Sequence, residues 1–351
     1  SNKIPVVKTS GGVAVSGDVD NDGDLDLFIG GRQVSGKYGY PAESYFLRND
    51  NGQFVDATKE VFPANSKLGM VSDAIWLDID QDQDLDLIVV GEWMPITVFK
   101  NDGGKLSDQT AANQLENTNG WWNRIVAADL DGDGDQDLVV GNVGRNIKFK
   151  ASKDKPFKAY VNDFDDNGTN DVYLAYYDRN GKELPVRGRQ CSSEQMDFVL
   201  EEFPTYHDFA QASVEDVLSG RMEGSVSLEA YEFSSVILRN DGKGGFTIEK
   251  LPAIAQSFPI YGIAPRDWNG DGIMDLVLAG NYHEREVETT RSDAGIGLTL
   301  VGQKDGSFKA LPTYETGMYA YFDVRNLLQL ENKTKPLLVI VNNNEGAQVY
   351  H

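Results

Sequence analysis

The sequence predicts an all-β protein, a β-propeller of six blades with a small helical insertion, and three observations predict it. A short acidic loop with fixed internal spacing recurs five times between apolar runs of strand length. A second signature, Asn-Asp or Lys-Asp followed closely by Gly, recurs further along several of the same units, where a hairpin would turn. The complete units are about 50 residues long, the size of four short strands, and radial repetition of such units is how a propeller protects its sheet edges.

The acidic loop is clearest in residues 126–140, VAADLDGDGDQDLVV. Asp129, Asp131, Asp133 and Asp137 take relative positions 1, 3, 5 and 9, with Gly134 at position 6 and Asp135 at position 7. Hard cations such as Ca2+ take six to eight oxygens at about 2.3–2.6 Å, and a tight loop of alternating carboxylates supplies them. Glycine at position 6 permits the sharp turn, and position 7 offers its backbone carbonyl. An EF-hand would need flanking helices and a Glu at position 12, where this chain has Val140. The other copies are Asp18, Asp20, Asp22, Asp24 and Asp26; Asp78, Asp80, Asp82, Asp84 and Asp86; Asp163, Asp165, Asn167, Thr169 and Asp171; and Asp267, Asn269, Asp271, Ile273 and Asp275. Solvated acidic turns have no reason to repeat this spacing, so up to five Ca2+ are expected. Gln83 replaces the position-6 glycine of the second loop, and Asn167 and Asn269 replace carboxylates, so those three sites should be weaker.

In chain order, residues 13–15 and 27–29 read as strands around the first loop, and residues 44–48 and 53–56 as a hairpin across Asn51-Gly52. The second unit runs over 69–110. The third begins at Trp121 and is short, because only 34 residues separate Asp129 from Asp163. The fourth begins near Ala159, and its outer hairpin is assigned to residues 234–238 and 246–249. Between them lies a helical insertion, 181–232, where Ser192 with Gln195 and Ser213 with Asp216 read as capping boxes. The fifth unit spans 261–310. The sixth, 319–351, keeps its strands but has lost the acidic ligands, and residues 4–8 are expected to supply its missing outer strand. The count is six blades, or seven if the insertion hides another strand set, in a single domain over 1–351.

The formal charge of −23 disfavours nucleic acid and anionic membrane surfaces as partners. No run of 18 apolar residues exists, so direct membrane insertion is not expected. The single cysteine, Cys191, rules out an intramolecular disulfide and reads as a buried or incidental thiol. Calcium loops of millimolar affinity point to an extracellular or periplasmic setting. The chain is expected to be a domain excised from a larger parent chain, with any signal or anchor outside it.

The segments GDVDNDGDLDLFIGGR, VVGEWMPITVFKNDGG, NGWWN and KASKDKPFKAYVNDFDDNG resemble FG-GAP/VCBS repeats, the calcium-loop blades also seen in the integrin α-subunit propeller. Their order is similar to the C-terminal propeller of large bacterial cell-surface VCBS-repeat proteins, which resemble the cartilage acidic protein group. The resemblance covers nearly the whole chain and implies a bacterial cell-surface location. Its motifs are specific for fold and calcium, and nearly silent on activity.

Little in the sequence points to catalysis. His283-Glu284-Arg285-Glu286 starts like a zinc-protease helix but continues with Val287, and no G-x-S-x-G elbow occurs. A two-carboxylate glycoside-cleaving pair remains the alternative, yet the recognisable carboxylate clusters are committed to metal. The leading expectation is a binding module with a glycan or protein ligand; a structural spacer is a third reading. Chain direction locates the ligand face. The first strand of each unit enters the metal loop and the second leaves it, so their other ends meet on the opposite face. Those ends carry Arg32, Glu92, Trp93, Arg145, Tyr177, Tyr282 and His283, with Trp121 and Trp122 at a strand start. Aromatic, Arg and amide surface of this kind stacks on sugars or anchors a protein. The insertion leaves from the same face and should partly cover it.

Overall fold

Each acidic loop joins two antiparallel strands whose alternating residues bury one or both faces. A computed structural model describes residues 4–62, 65–285, 289–331 and 335–351. The fold is all-β, with six antiparallel sheets and a few short helices among the described residues. The first sheet contains β1 (Ser10–Gly17), β2 (Asp26–Gln33), β3 (Tyr45–Asp50) and β4 (Gln53–Asp56) in sequence order. Its hairpin turns on Asn51 and Gly52, both at positive φ (54° and 86°), as the Asn-Gly pair predicts. The second sheet contains β5 (Met70–Leu77), β6 (Asp86–Met94), β7 (Thr97–Asn101) and β8 (Leu106–Asp108), with β9 (Gly120–Trp121) added beside β6.

The third sheet departs from the expected topology. It begins with β10 (Arg124–Ala128) and β11 (Asp137–Gly141), but the chain then builds a whole fourth sheet before returning. That fourth sheet contains β12 (Phe157–Asn162), β13 (Asp171–Tyr177), β14 (Glu183–Pro185) and β15 (Val226–Ala230), in the order β14-β13-β12-β15. The chain then re-enters the third sheet as β16 (Val236–Asn240) and β17 (Phe246–Lys250), with Val139 opposite Ile237. The hairpin assigned to the fourth unit therefore belongs to the third, whose apparent shortness is explained: its outer half follows the inserted sheet. The insertion point is clamped by Asn142, whose backbone N–H donates to Ser235 Oγ (2.9 Å) and whose side-chain amide donates to the Glu232 carbonyl (3.0 Å). Gly144 N–H reaches the Phe233 carbonyl at 2.9 Å, so the two ends of the inserted segment touch.

The fifth sheet contains β18 (Gly262–Arg266), β19 (Asp275–Ala279), β20 (Leu298–Gly302) and β21 (Phe308–Leu311). The sixth contains β22 (Val324–Leu330), β23 (Leu337–Asn342) and β24 (Gln348–Tyr350). Residues 4–8 form no strand and do not complete it; its third strand comes from the chain's own end.

First strands of successive sheets pack on one another: β1 on β5, β5 on β10, β10 on β18 and β18 on β22. Four apolar layers fill the spaces between them, one per neighbouring pair. Phe28, Phe46, Leu87 and Val89 lie between the first two sheets, and Ile88, Val90, Trp122 and Leu138 between the next two. Val139, Ile237, Ile263 and Leu276 follow, then Ala264, Val277, Leu327 and Ile340. The inserted sheet is outside this series. One face, with Phe157 and Ala159, packs on Met70, Trp93, Val143 and Phe233 at the strand ends away from the acidic loops. The other, with Tyr160, Tyr173 and Ala175, is covered by helices between Arg189–Gln195 and Val214–Val217. Ser213 and Asp216 form a capping box there; Ser192 lies buried inside its helix, which starts after Gly188 instead.

Candidate metal loops and the cavity on the opposite face

Position 9 of each loop is the structural half of the motif. Asp26, Asp86, Asp137, Asp171 and Asp275 are all buried at the start of a second strand. Each accepts the backbone N–H of the loop's second residue: Val19, Ile79, Leu130, Phe164 and Trp268, at 3.0–3.3 Å. In four loops the same carboxylate also accepts an N–H from the end of the third strand: Asn49, Asn101, Asn240 or Gly302. Charge-assisted bonds to backbone donors fix the loop to its own sheet. Burial pushes the Asp26, Asp171 and Asp275 carboxyls up, and lifts Asp86 to about 6 with help from Asp80 and Asp82.

The asparagines extend this stitching to the neighbouring sheet. Asn101 Nδ2 donates to the Val19 carbonyl of the first loop (2.8 Å) and to Leu85 O of its own. Asn240 Nδ2 likewise donates to Ile79 O of the second loop (3.1 Å) and to Gln136 O. The Asn101 and Asn240 side chains therefore join successive loops, and the second of these bonds spans 161 residues of sequence.

Positions 1, 3 and 5 or 9 converge. Carboxylate oxygens approach within 4.8 Å in Asp18–Asp20–Asp22, Asp78–Asp80–Asp86, Asp129–Asp131–Asp133 and Asp163–Asp165–Asp171, taken as groups. Among the described residues the Asp267 loop forms no such group of three, and its position 3 is Asn269 in place of a carboxylate; Asp267, like the first aspartate of the other loops, accepts backbone N–H groups on both oxygens, from Gly270, Asp271 and Gly272. The donor set fits a hard cation: it is all oxygen, and the buried Asp80 Oδ1 and Asp135 Oδ1 have no hydrogen-bond partner. Burial and the neighbouring Asp133 push the Asp135 carboxyl up to about 6, the sign of a site short of positive charge. Two loops partly compensate. Lys100 Nζ pairs with Asp80 and Asp82, and Arg239 Nη1 pairs with Asp137 at 2.8 Å. Gln83 adopts φ of +76° where the other loops place glycine, from Gly272 at +84° to Gly134 at +99°. Of the position-7 residues, Asp24 accepts the Asn51 N–H through its side chain. Thr169 and Ile273 donate backbone N–H groups to Asn167 Oδ1 and Asp271 Oδ1.

On the opposite face, strand ends from four sheets and the inserted sheet enclose a cavity of about 410 Å3. Arg32, Glu92, Trp121 and Tyr282 all line it. Its other walls are Asn123 and Val143, which adjoin the strand ends named above, and Tyr38, Phe149, Leu174, Arg187, Tyr261, Arg285 and Thr289, which the sequence did not point to. Glu92 is held by Arg32 Nη2 (2.5 Å) and by the Tyr38 hydroxyl (2.9 Å). Burial and Glu92 together hold the Tyr38 phenol well above its ordinary range, and burial pushes Tyr261 up to about 12. Arg325 stands over both Tyr261 and Tyr282, 4.8 and 5.2 Å from the ring centroids.

The remaining candidates lie elsewhere. Trp93 is buried, stacked on Phe157 (5.8 Å, 13°), and donates through Nε1 to Tyr38. Its φ of +60°, rare for a bulky residue, falls at the register shift where β9 joins β6. Trp122 is buried between the second and third sheets and donates to Thr118 O. Arg145 faces a separate cavity of about 380 Å3 beside Lys153 and Lys250. Tyr177 lines another, of about 470 Å3, and its hydroxyl donates to Glu183. His283 follows Tyr282 half-buried and lines none of these cavities.

Residues 18–89 and 78–140 match the FG-GAP-like repeat. The chain carries FG-GAP-like repeats. The matched segments contain the first three acidic loops, the strands that leave them and the strands that enter the second and third. No curated protein matches the chain in sequence. Among solved structures it is similar to the V. cholerae biofilm matrix protein Bap1, at 11% identity and a TM-score of 0.31, covering 96% of this chain and 76% of that one. No helix among the described residues is long and apolar enough to cross a membrane.

Proposed function

We propose that this FG-GAP-like repeat protein is a calcium-stabilised propeller that works outside the cell as a binding module, with its ligand taken on the face away from the acidic loops. The cavity of about 410 Å3 carries the reading: it gathers aromatic rings, arginines and the Asn123 amide around strand ends under a covering sheet. Pockets that combine apolar walls with a few polar groups are the usual form of a binding site. The loops are structural in this account. Their carboxylates repel one another and carry partnerless oxygens, so an ion that binds only the folded loop stabilises it. Millimolar calcium, as found outside cells, would fill sites with a Kd of about 0.1–1 mM, adding on the order of 0.4–1.4 kcal/mol per site. The ligand is a glycan or a protein surface, the two classes that aromatic and Arg clusters engage.

The test is a glycan and protein array probed with the whole chain in 1 mM calcium, followed by the Trp121→Ala and Tyr282→Ala variants. Binding that both variants lose while their melting temperatures hold supports the cavity. Binding kept by both variants would reject it. An unchanged melting curve in excess chelator would reject the role given to calcium.

A further inference from the structure

Successive sheets meet through a recurring set of side chains. In the second sheet the set is Leu87 and Val89 of β6, Phe99 and Asn101 of β7, and Leu106 of β8, all buried against the first sheet. In the third sheet the equivalent residues are Leu138, Val140, Leu238, Asn240 and Phe246, packed on the second. The fifth sheet repeats the apolar members against the third, with Gly302 in place of the asparagine.

The first sheet carries the set too: Leu27 and Ile29 of β2, Leu47 and Asn49 of β3, and Phe54 of β4. It differs from the third sheet's set only in having Ile29 where that sheet has Val140. Among the described residues nothing is stacked on it as the first sheet is on the second. Strands β1–β4 pack on the second sheet and on the short helix Thr58–Val61, and β22 makes no comparable packing on β1. Leu47 is buried, but Leu27, Ile29 and Phe54 are only half-buried, where Leu87, Val89 and Leu106 are buried.

Asn49 supplies a second, independent observation. Its Oδ1 accepts the Gly52 N–H at 2.7 Å, as Asn101 and Asn240 accept those of Gly104 and Gly242. Its Nδ2 donates to the Leu25 carbonyl of its own loop at 3.2 Å, as theirs do to Leu85 and Gln136. Asn101 and Asn240 donate a second time, to the carbonyl of the preceding loop's second residue, Val19 or Ile79. Asn49 holds the same pose, and its second N–H meets no acceptor among the described residues.

We propose that this outer face of the first sheet is a docking surface for a further antiparallel sheet ending in an acidic loop of the same repeat. The partner's apolar side chains would cover Leu27, Ile29 and Phe54, and the carbonyl of its loop's second residue would accept from Asn49. A sheet without the loop would cover the apolar residues and leave the Asn49 donor as it is. A second copy of this chain does not fit. Its first, second, third and fifth sheets already have a follower, and helices cover the free side of the inserted sheet. Its sixth sheet exposes Leu328, Leu330 and Val349, but the chain between β22 and β23 has one acidic residue, Glu331.

The chain's own second unit is the probe, because it already packs on the third sheet's version of the set. A copy of residues 69–118 would be joined ahead of residue 4 of the whole chain. In a Cys191→Ser background, an Ile29→Cys thiol should react with a water-soluble reagent at least tenfold more slowly in this fusion than in the unextended chain. The fusion should also melt at least about 5 °C higher, as added repeats stabilise a stack. Asn49→Ala should lower the melting temperature of the fusion at least twice as far as that of the unextended chain, because only there does it break a bond between sheets. Equal labelling rates in the two proteins overturn the proposal. So does slow labelling of the unextended monomer, which would mean that the chain covers this face itself. Dimerisation of the unextended chain, undone by Ile29→Asp, would name a second copy as the occupant and overturn it as well. Slower labelling with no added effect of Asn49→Ala would overturn the acidic loop as the partner's distinguishing feature.

Discussion

At the scale of single residues, the acidic loop has one position where backbone conformation outweighs ligand chemistry. Gln83 must hold φ at +76° so that its N–H can meet Asp78 Oδ2 at 3.0 Å. A left-handed conformation costs a non-glycine residue about 1–2 kcal/mol, while glycine loses up to about 1 kcal/mol of chain entropy on being fixed. Gln83→Gly should therefore raise stability by about 0.5–1 kcal/mol, seen as a higher melting temperature in metal-free buffer. A lowered melting temperature would show that the Gln83 side chain does something the hydrogen bonds do not record. The asparagines that end β7 and β16 are the converse case. Their backbone is ordinary, and their side-chain amides carry the information by pairing carbonyls of two successive loops. Both were visible in the sequence, but only as turn formers. Nothing in Asn240-Asp241-Gly242 says that its first side chain reaches Ile79.

At the scale of the loop, acid and metal should act in opposite directions. Without metal, burial and mutual repulsion lift Asp86 and Asp135 to about 6 and raise Asp26, Asp171 and Asp275. The folded protein then binds these protons more tightly than the unfolded chain, so stability falls as pH rises from about 4 through 6. Carboxyls held low, such as Asp82 and Asp267, lose their contribution only below about pH 4. Calcium binds the ionised form, and so its stabilisation grows over the same interval. Metal-free protein should melt lower at pH 7 than at pH 4.5, and the gap to the calcium-loaded protein should widen toward neutral pH. Parallel curves would reject this linkage. The spacing of the acidic loop was legible in the sequence because its carboxylates are local: positions 1, 3, 5 and 9 are neighbours whatever the rest of the chain does.

At the scale of the whole molecule, the third sheet is assembled from two stretches separated by 94 residues, from 142 to 235. Gly144 and Phe233 are hydrogen-bonded, so removing 145–232 and joining the ends through a short glycine link should leave the third sheet intact. The shortened protein should still melt cooperatively and bind one calcium ion fewer, since the Asp163 loop is lost. It should also be less soluble, because Met70, Trp93 and Val143 lose their cover. A chain with no melting transition would show that the inserted sheet is needed to hold the others. This discontinuity was not legible in the sequence. Both units carry an acidic loop, and the β16–β17 hairpin has the same turn residues as any other, so proximity along the chain assigned it to the nearer loop. The strand ends that meet on the far face followed from chain direction, and four of them do line one cavity.

The contact between Gly144 and Phe233 has a further meaning for how such a protein can change. A segment whose two ends touch is a cassette in a socket: the surrounding sheets set the width of the opening and are indifferent to what fills it. Arg187 and Leu174 belong to the cassette, whereas Arg32, Glu92 and Tyr282 belong to the socket. Exchanging the cassette would rewrite one wall of the cavity while leaving the acidic loops of the other sheets in place, so ligand preference and stability can be altered separately in one chain.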